Sequence, residues 1–206
     1  MSALATALPP ATGLMTADEF WKFCHRPENE HRNLDLIRGV IVEMSRPSRI
    51  HGIAVTRITV AVSNWADKHG VGYVASADAG VILGKKPDTV VGPDVAYYTD
   101  ATTADEVPEK WGDIAPVLAV EVQSPNDRPG QINRKVREYL DAGTRVVWQV
   151  DPEEKTVTVH KPTQAFIILK ATDMLHGDPE LPAFTCRVGE FFRLPGEPLP
   201  QPPAAP

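Results

Sequence analysis

Only two cysteines, Cys24 and Cys186, occur in the 206 residues, far apart and in no metal or redox spacing. They read as free buried thiols, which excludes a disulfide-stapled scaffold and a paired C-x-x-C zinc site. Long apolar runs are also missing. The longest are short pieces such as Val117 to Val120, far below the ~18 residues of a membrane-spanning helix. The segment Met1 to Thr12 has small apolar residues but neither a basic stretch nor a long hydrophobic core, so a cytoplasmic protein is expected. A basic excess is absent as well: 21 Lys and Arg stand against 27 Asp and Glu, a net charge of −6. Broad binding to nucleic acid draws on a positive surface, so this balance argues against it, while leaving room for a locally positive cleft. No phosphate-cradling glycine loop, G-x-S-x-G elbow or H-E-x-x-H motif is present. Dehydrogenase, kinase and zinc-protease chemistries are thereby set aside.

What remains is an ordinary globular composition, 42% hydrophobic and 23% charged, at a length that suits one domain. Proline is plentiful, 20 in all, with six in the last twelve residues. Proline fixes φ and lacks an N–H, so residues 195–206 read as an extended or disordered tail. Residues 1–15 form a second tail, and residues 16–194 a single domain.

Thr16-Ala17-Asp18-Glu19 is a capping box ahead of a short helix with Phe20, Trp21 and Phe23. Residues 34–44 read as a hairpin around Arg38-Gly39. From His51 to His69 the apolar spacing is helical, with Gly70 as its stop. Strands are predicted over Val71–Ala75, Ala79–Leu83, Pro93–Tyr98, Val117–Gln123 and Arg145–Asp151, with a helix over Gln131–Ala142. Thr156–His160 and Phe166–Leu169 make a last hairpin, and residues 99–115 an acidic, solvated loop. A strand, a helix and a strand in succession suggest a parallel pair joined by a right-handed crossover. The fold class is therefore α/β, a mixed sheet with helices on both faces.

Alternation along Val117–Gln123 sets Leu118, Val120 and Val122 on one face and Ala119, Glu121 and Gln123 on the other. Glu121 is an acid in an otherwise apolar strand. A buried carboxylate needs a cation, a proton or a metal ion, so a metal site and a plain salt bridge both stand open. Asp94 precedes it by 27 positions at the start of another strand, and Lys135 follows by fourteen on the next helix. Two acids and a lysine are thus able to converge. Mg²⁺ favours such oxygen donors, one or two carboxylates completed by water and phosphate.

Taken together, Pro93-Asp94, Glu121-Val122-x-Ser124-Pro125, Lys135-x-x-x-Tyr139-x-x-x-Gly143 and Trp148-x-x-Asp151-Pro152 resemble the Uma-two family of restriction-endonuclease-like proteins, within the PD-(D/E)XK nuclease superfamily. The resemblance spans roughly Thr16 to Phe192 and includes Leu36-Ile37-Arg38-Gly39 and the Ser48 to His51 segment. It implies an α-β-β-β-α-β core with extra terminal hairpins. It also implies a metal-dependent endonuclease acting on DNA, with Mg²⁺ or Mn²⁺ held by Asp94, Glu121 and the Val122 carbonyl. Lys135 would orient or activate water, and His51 would approach the metal or the scissile phosphate. Two departures are visible: Gln123 stands where the superfamily has its lysine, and Asp35 where the family typically has glutamate.

Taken as a lone residue, Tyr139 reads as packing, His51 as structural, and Asp151-Pro152 as a strand end. Asp35, Gln123 and Gln131 have no assigned role. By analogy with restriction-type folds, a homodimer is expected. A catalytically silent binding or assembly module on the same fold is the competing reading, supported by the acidic charge and the acidic loop.

Overall fold

Thr16 opens the first helix, α1 (Ala17–Cys24), through the expected capping box: its hydroxyl accepts from Glu19 N–H, and Glu19 Oε2 accepts from Thr16 N–H at 2.8 Å. This computed structural model describes residues 13–124 and 129–200, without the side chain of Pro129. The remaining parts of both tails, and the Pro125-Asn126-Asp127 stretch read as ending the Glu121 strand, lie outside the described residues.

Strands β1 (Leu34–Ile37) and β2 (Val40–Glu43) form the predicted hairpin. Both residues of its two-residue turn, Arg38 (φ 51°) and Gly39 (φ 77°), are left-handed, which matches the twist of the flanking strands. The long helix α2 (Arg49–His69) starts slightly earlier than its apolar stripe, because Ser48 Oγ accepts from His51 N–H at 3.3 Å, and it ends at a left-handed Gly70. Then come β3 (Tyr73–Ser76), β4 (Val81–Gly84), β5 (Thr89–Val91), β6 (Val95–Tyr98) and β7 (Leu118–Val122). Helix α3 (Pro129–Asp141) leads to β8 (Val146–Asp151), and β9 (Thr156–His160), β10 (Ile167–Lys170), β11 (Met174–His176) and β12 (Thr185–Arg187) follow.

The strands form a six-stranded sheet ordered β10-β9-β8-β7-β6-β3, a four-stranded sheet ordered β2-β1-β5-β4, and the β11-β12 ribbon. Within the large sheet β7 and β8 are parallel, joined by α3, and the other pairs are antiparallel. The predicted strand over Ala79–Leu83 exists as β4, but it leaves the large sheet for the small one. There Val81, with Val91 of the unpredicted β5, packs on Ile132, Val136 and Tyr139 of α3. Alternation reports which face a strand buries, not which sheet it joins.

Five layers result. Helix α1 packs through Phe20 on Leu36, Ile41 and Val90 of the small sheet. The other face of that sheet covers α3, and α3 in turn packs on Ala119 and Val147 of the large sheet. On the far side of the large sheet, Leu118, Val120, Val122 and Trp148 meet Ala54, Ile58, Val62 and Trp65 of α2. The largest fully buried aromatics are spread over these layers: Trp148, Tyr97 and Phe191 on the α2 side of the large sheet, Tyr139 on α3 and Phe20 on α1. Each buried side chain of this size contributes roughly 1.5–3 kcal/mol relative to exposure.

Among the described residues, no helix is long and apolar enough to cross a membrane. Cys24 is half-buried and Cys186 buried, both free, and burial pushes their thiols up to about 11 and about 12. Part of the proline-rich end is tied down, since Arg187 Nη1 donates to the Pro200 carbonyl at 3.0 Å.

Candidate active site

The chain passes from the small sheet to the large one through Gly92-Pro93-Asp94, between β5 and β6, and the candidate site lies at that seam. The ladder between β6 and β7 runs out at Val95 opposite Val120. Beyond it, Val122 N–H donates instead to Asp94 Oδ2 at 2.7 Å. Asp94 Oδ1 lies 2.9 Å from His51 Nε2, presented by the first turn of α2. Burial, and then the nearby Glu121 carboxylate, push the Asp94 carboxyl up to about 8, against the Val122 hydrogen bond and Lys135.

Glu121 projects from β7 toward α3, as the alternation requires. Its Oε2 is 2.9 Å from Lys135 Nζ, and its Oε1 accepts from the Tyr139 hydroxyl at 2.7 Å. Lys135 and Tyr139 stand four apart on α3, so both reach the same carboxylate from one helix face. Burial raises the Glu121 carboxyl, with Lys135 working against that shift. Burial also disfavours charge on Lys135, but Asp35 and Glu121 outweigh it and hold the ammonium firmly protonated.

Asp35 enters from β1. Its Oδ2 is 3.5 Å from Lys135 Nζ, and its Oδ1 accepts from Gly92 N–H at 3.2 Å. The Gly92 carbonyl accepts from Lys135 at 3.4 Å, so Gly92 bonds to both members of the pair. A side chain there would collide with the Asp78 backbone, because a Cβ on Gly92 would lie 2.5 Å from Asp78 O. That close approach brings Asp78 to the rim, where Asn33 Nδ2 donates to it at 3.3 Å and burial raises its carboxyl. The residues line a small cleft of about 50 Å³, room for an ion and a few waters.

The Uma2 family, described as "Putative restriction endonuclease", matches residues 17–189. The chain belongs to this family. Its fold is shared by a crystal structure described as a "putative nuclease belonging to DUF820" from Anabaena variabilis ATCC 29413. The two are 20% identical with a TM-score of 0.74, over 86% of this chain and 97% of that one. Among curated proteins there is no match.

The Uma2 chain thus brings Asp94, Glu121, Val122, Lys135 and His51 to one cleft. Gln123 and Gln131 are not among the residues lining it. Tyr139, read from the sequence as packing more than chemistry, is wholly buried and also bonds Glu121. Asp35 and Asp78 are the residues sequence reasoning left without a role. Asp35 carried a signal, since it breaks the apolar run Leu34–Ile37 as Glu121 breaks its own strand. Asp78 carried none, lying in a turn with φ 58°.

The donor set fits a hard divalent cation. Asp94, Glu121 and the Val122 carbonyl offer oxygens only, and Val122 O leaves the strand on the same side as the N–H that meets Asp94. Burial raises both acids, with Glu121 adding to the shift at Asp94 and Asp35 adding to it at Glu121, so three clustered carboxyls face one lysine and His51, and an added cation would relieve their repulsion. Among the described residues no group of three His, Cys, Asp or Glu forms a metal cage. Mg²⁺ does not need one, because water and phosphate complete its shell.

Tyr139→Phe tests the site's internal bonding. Losing the donor to a buried carboxylate is expected to destabilise the fold by about 1–3 kcal/mol in urea unfolding. An unchanged midpoint would mean that the 2.7 Å contact contributes nothing to stability.

Proposed function

We propose that this Uma2 protein is a metal-dependent nuclease that hydrolyses phosphodiester bonds in DNA, with Mg²⁺ or Mn²⁺ held by Asp94, Glu121 and the Val122 carbonyl. One observation carries the reading: buried carboxylates in excess, against a single buried lysine, in a cleft at the carboxyl end of β7. When bound, the ion would polarise the phosphodiester and acidify its water.

The chain's own residues divide the remaining work. Val122 N–H fixes one Asp94 oxygen and His51 approaches the other, so His51 is a positioning residue acting through Asp94. Lys135 keeps its proton at neutral pH, which makes its Nζ a donor that orients water or meets developing negative charge, not a base. Tyr139 and Lys135 together fix the Glu121 carboxylate. DNA, held locally at the cleft, and a second copy of the chain are the proposed partners, in the cytoplasm.

A second reading is a catalytically silent module. It is favoured by the engagement of both Glu121 oxygens by Lys135 and Tyr139 within the protein. Two measurements separate the readings. The wild type is expected to nick supercoiled plasmid with Mn²⁺ or Mg²⁺ and not with EDTA. Mn²⁺ at a hundredfold excess over its Kd is also expected to stabilise the fold by about 2.7 kcal/mol, a rise of roughly 5–10 °C in Tm at this size. No nicking and no shift would establish the silent module.

A further inference from the structure

The hairpin β1-β2 and helix α3 enclose a second, larger groove of about 610 Å³ next to the cleft. One face of the hairpin carries Asp35 at one end and then Ile37, Val40 and Val42, because Asp35 pairs with Val42 and Ile37 with Val40 across the strands. The apolar floor of the groove therefore continues from the site itself. The opposite wall is the exposed side of α3, with Arg134 and Arg137 flanking Lys135 in sequence while Lys135 points inward.

The charge of this groove opposes that of the chain. Arg38, Arg134 and Arg137 face a single acid, Glu138, although the chain carries −6 overall. Arg38 Nε donates to Glu138 Oε1 at 2.9 Å, which anchors its guanidinium at the hairpin turn. Arg134 and Arg137 are exposed, one turn apart, and make no ion pair among the described residues. Two like charges left unneutralised on adjacent turns disfavour the isolated helix and suit an anionic ligand.

We propose that this groove holds the sugar-phosphate backbone of a DNA substrate, with Arg38, Arg134 and Arg137 contacting phosphates on the strand that leads to the cleft. The proposal rests on the nuclease reading above and adds the path by which the substrate approaches. It also gives an acidic protein a local positive surface for nucleic acid, since three arginines face one acid in this groove.

The test is fluorescence anisotropy with a labelled DNA duplex in EDTA, over a range of salt concentrations. Each arginine–phosphate contact contributes about 0.9 to the slope of log K against log salt. Arg134→Ala/Arg137→Ala is expected to lower that slope by about 2 and to weaken binding about tenfold at low salt, alike for different sequences. Arg134→Lys/Arg137→Lys should keep the slope, which a purely structural role would not predict. Lys155→Ala/Lys170→Ala, which removes two exposed lysines outside the groove, should leave slope and affinity unchanged. An alanine pair that binds with wild-type affinity and slope overturns the groove, as does a wild type that does not bind. Slope loss without plasmid cleavage in Mn²⁺ would keep the groove and remove the nuclease; cleavage with an unaffected slope would do the reverse.

Discussion

Glu121→Gln and Asp94→Asn are each expected to lower metal-dependent plasmid cleavage by about 10³-fold or more, corresponding to about 4 kcal/mol of lost transition-state stabilisation. The amides keep most of the shape. In Asp94→Asn the side-chain carbonyl would still accept from Val122 N–H, and in Glu121→Gln it would still accept from Tyr139, so each variant removes the anionic oxygen, and Glu121→Gln also leaves its amide nitrogen facing the Lys135 ammonium, donor against donor. The two substitutions differ in their effect on the fold. Asp94 has its carboxyl raised to about 8 by burial and by Glu121, from an ordinary value of 3.8. A raised folded-state value means that the native protein binds the proton more tightly than the unfolded chain. Stability from this group is therefore present at low pH and falls as pH rises from about 4 to about 8. Asp94→Asn removes that dependence and should be at least as stable as the wild type at pH 8 while being inactive. Plasmid nicking beside thermal unfolding at pH 5 and pH 8 reads both effects. Wild-type cleavage by both variants would sink the proposed site. A large loss of stability by Asp94→Asn at pH 8 would show that the carboxylate holds the fold together instead.

The contrast between Glu121 and Asp35 shows where sequence reasoning reached and where it stopped. Glu121 was legible because both neighbours on its strand, Val120 and Val122, belong to the buried face toward α2, and period-two alternation leaves the acid facing α3. Lys135 followed from its place on the helix after that strand, together with the family pattern, which sets the lysine there and not at Gln123. Asp35 obeyed the same local logic within Leu34–Ile37. Its place beside Lys135, however, depends on the small sheet folding over α3, a contact between segments about a hundred residues apart. No local period encodes such a contact. The same holds for β4, whose residues were recognised as a strand but whose sheet is decided by what covers Val81. The Gly92-Pro93-Asp94 crossing is the one local hint: a glycine, then a proline without an N–H, immediately ahead of a strand mark a place where the chain changes partners.

Lys135→Met is expected to be the most damaging single change to the fold. Lys135 is the only lysine or arginine buried among the described residues, and its ammonium stands between Glu121 and Asp35. Methionine keeps most of the aliphatic stem, so packing is largely preserved and the charge is what disappears. Two buried carboxylates would then lack their cation, and removing one partner of such a set costs about 3–5 kcal/mol. The loss should depend on pH in a definite direction. Without the ammonium, the Glu121 carboxyl in the folded variant rises further above its unfolded value, so the native state stays intact where it is protonated. The gap between variant and wild type should be small near pH 4, below or close to the unfolded carboxyl range, and should widen as pH rises through 7. Urea unfolding across that range is the measurement. A gap that does not change with pH would assign the loss to the stem's packing, and the electrostatic account of the site would fail. Mn²⁺ is expected to restore part of the lost midpoint at pH 7 by supplying positive charge to Glu121. It should not restore cleavage, because the donor that orients the attacking water would still be missing.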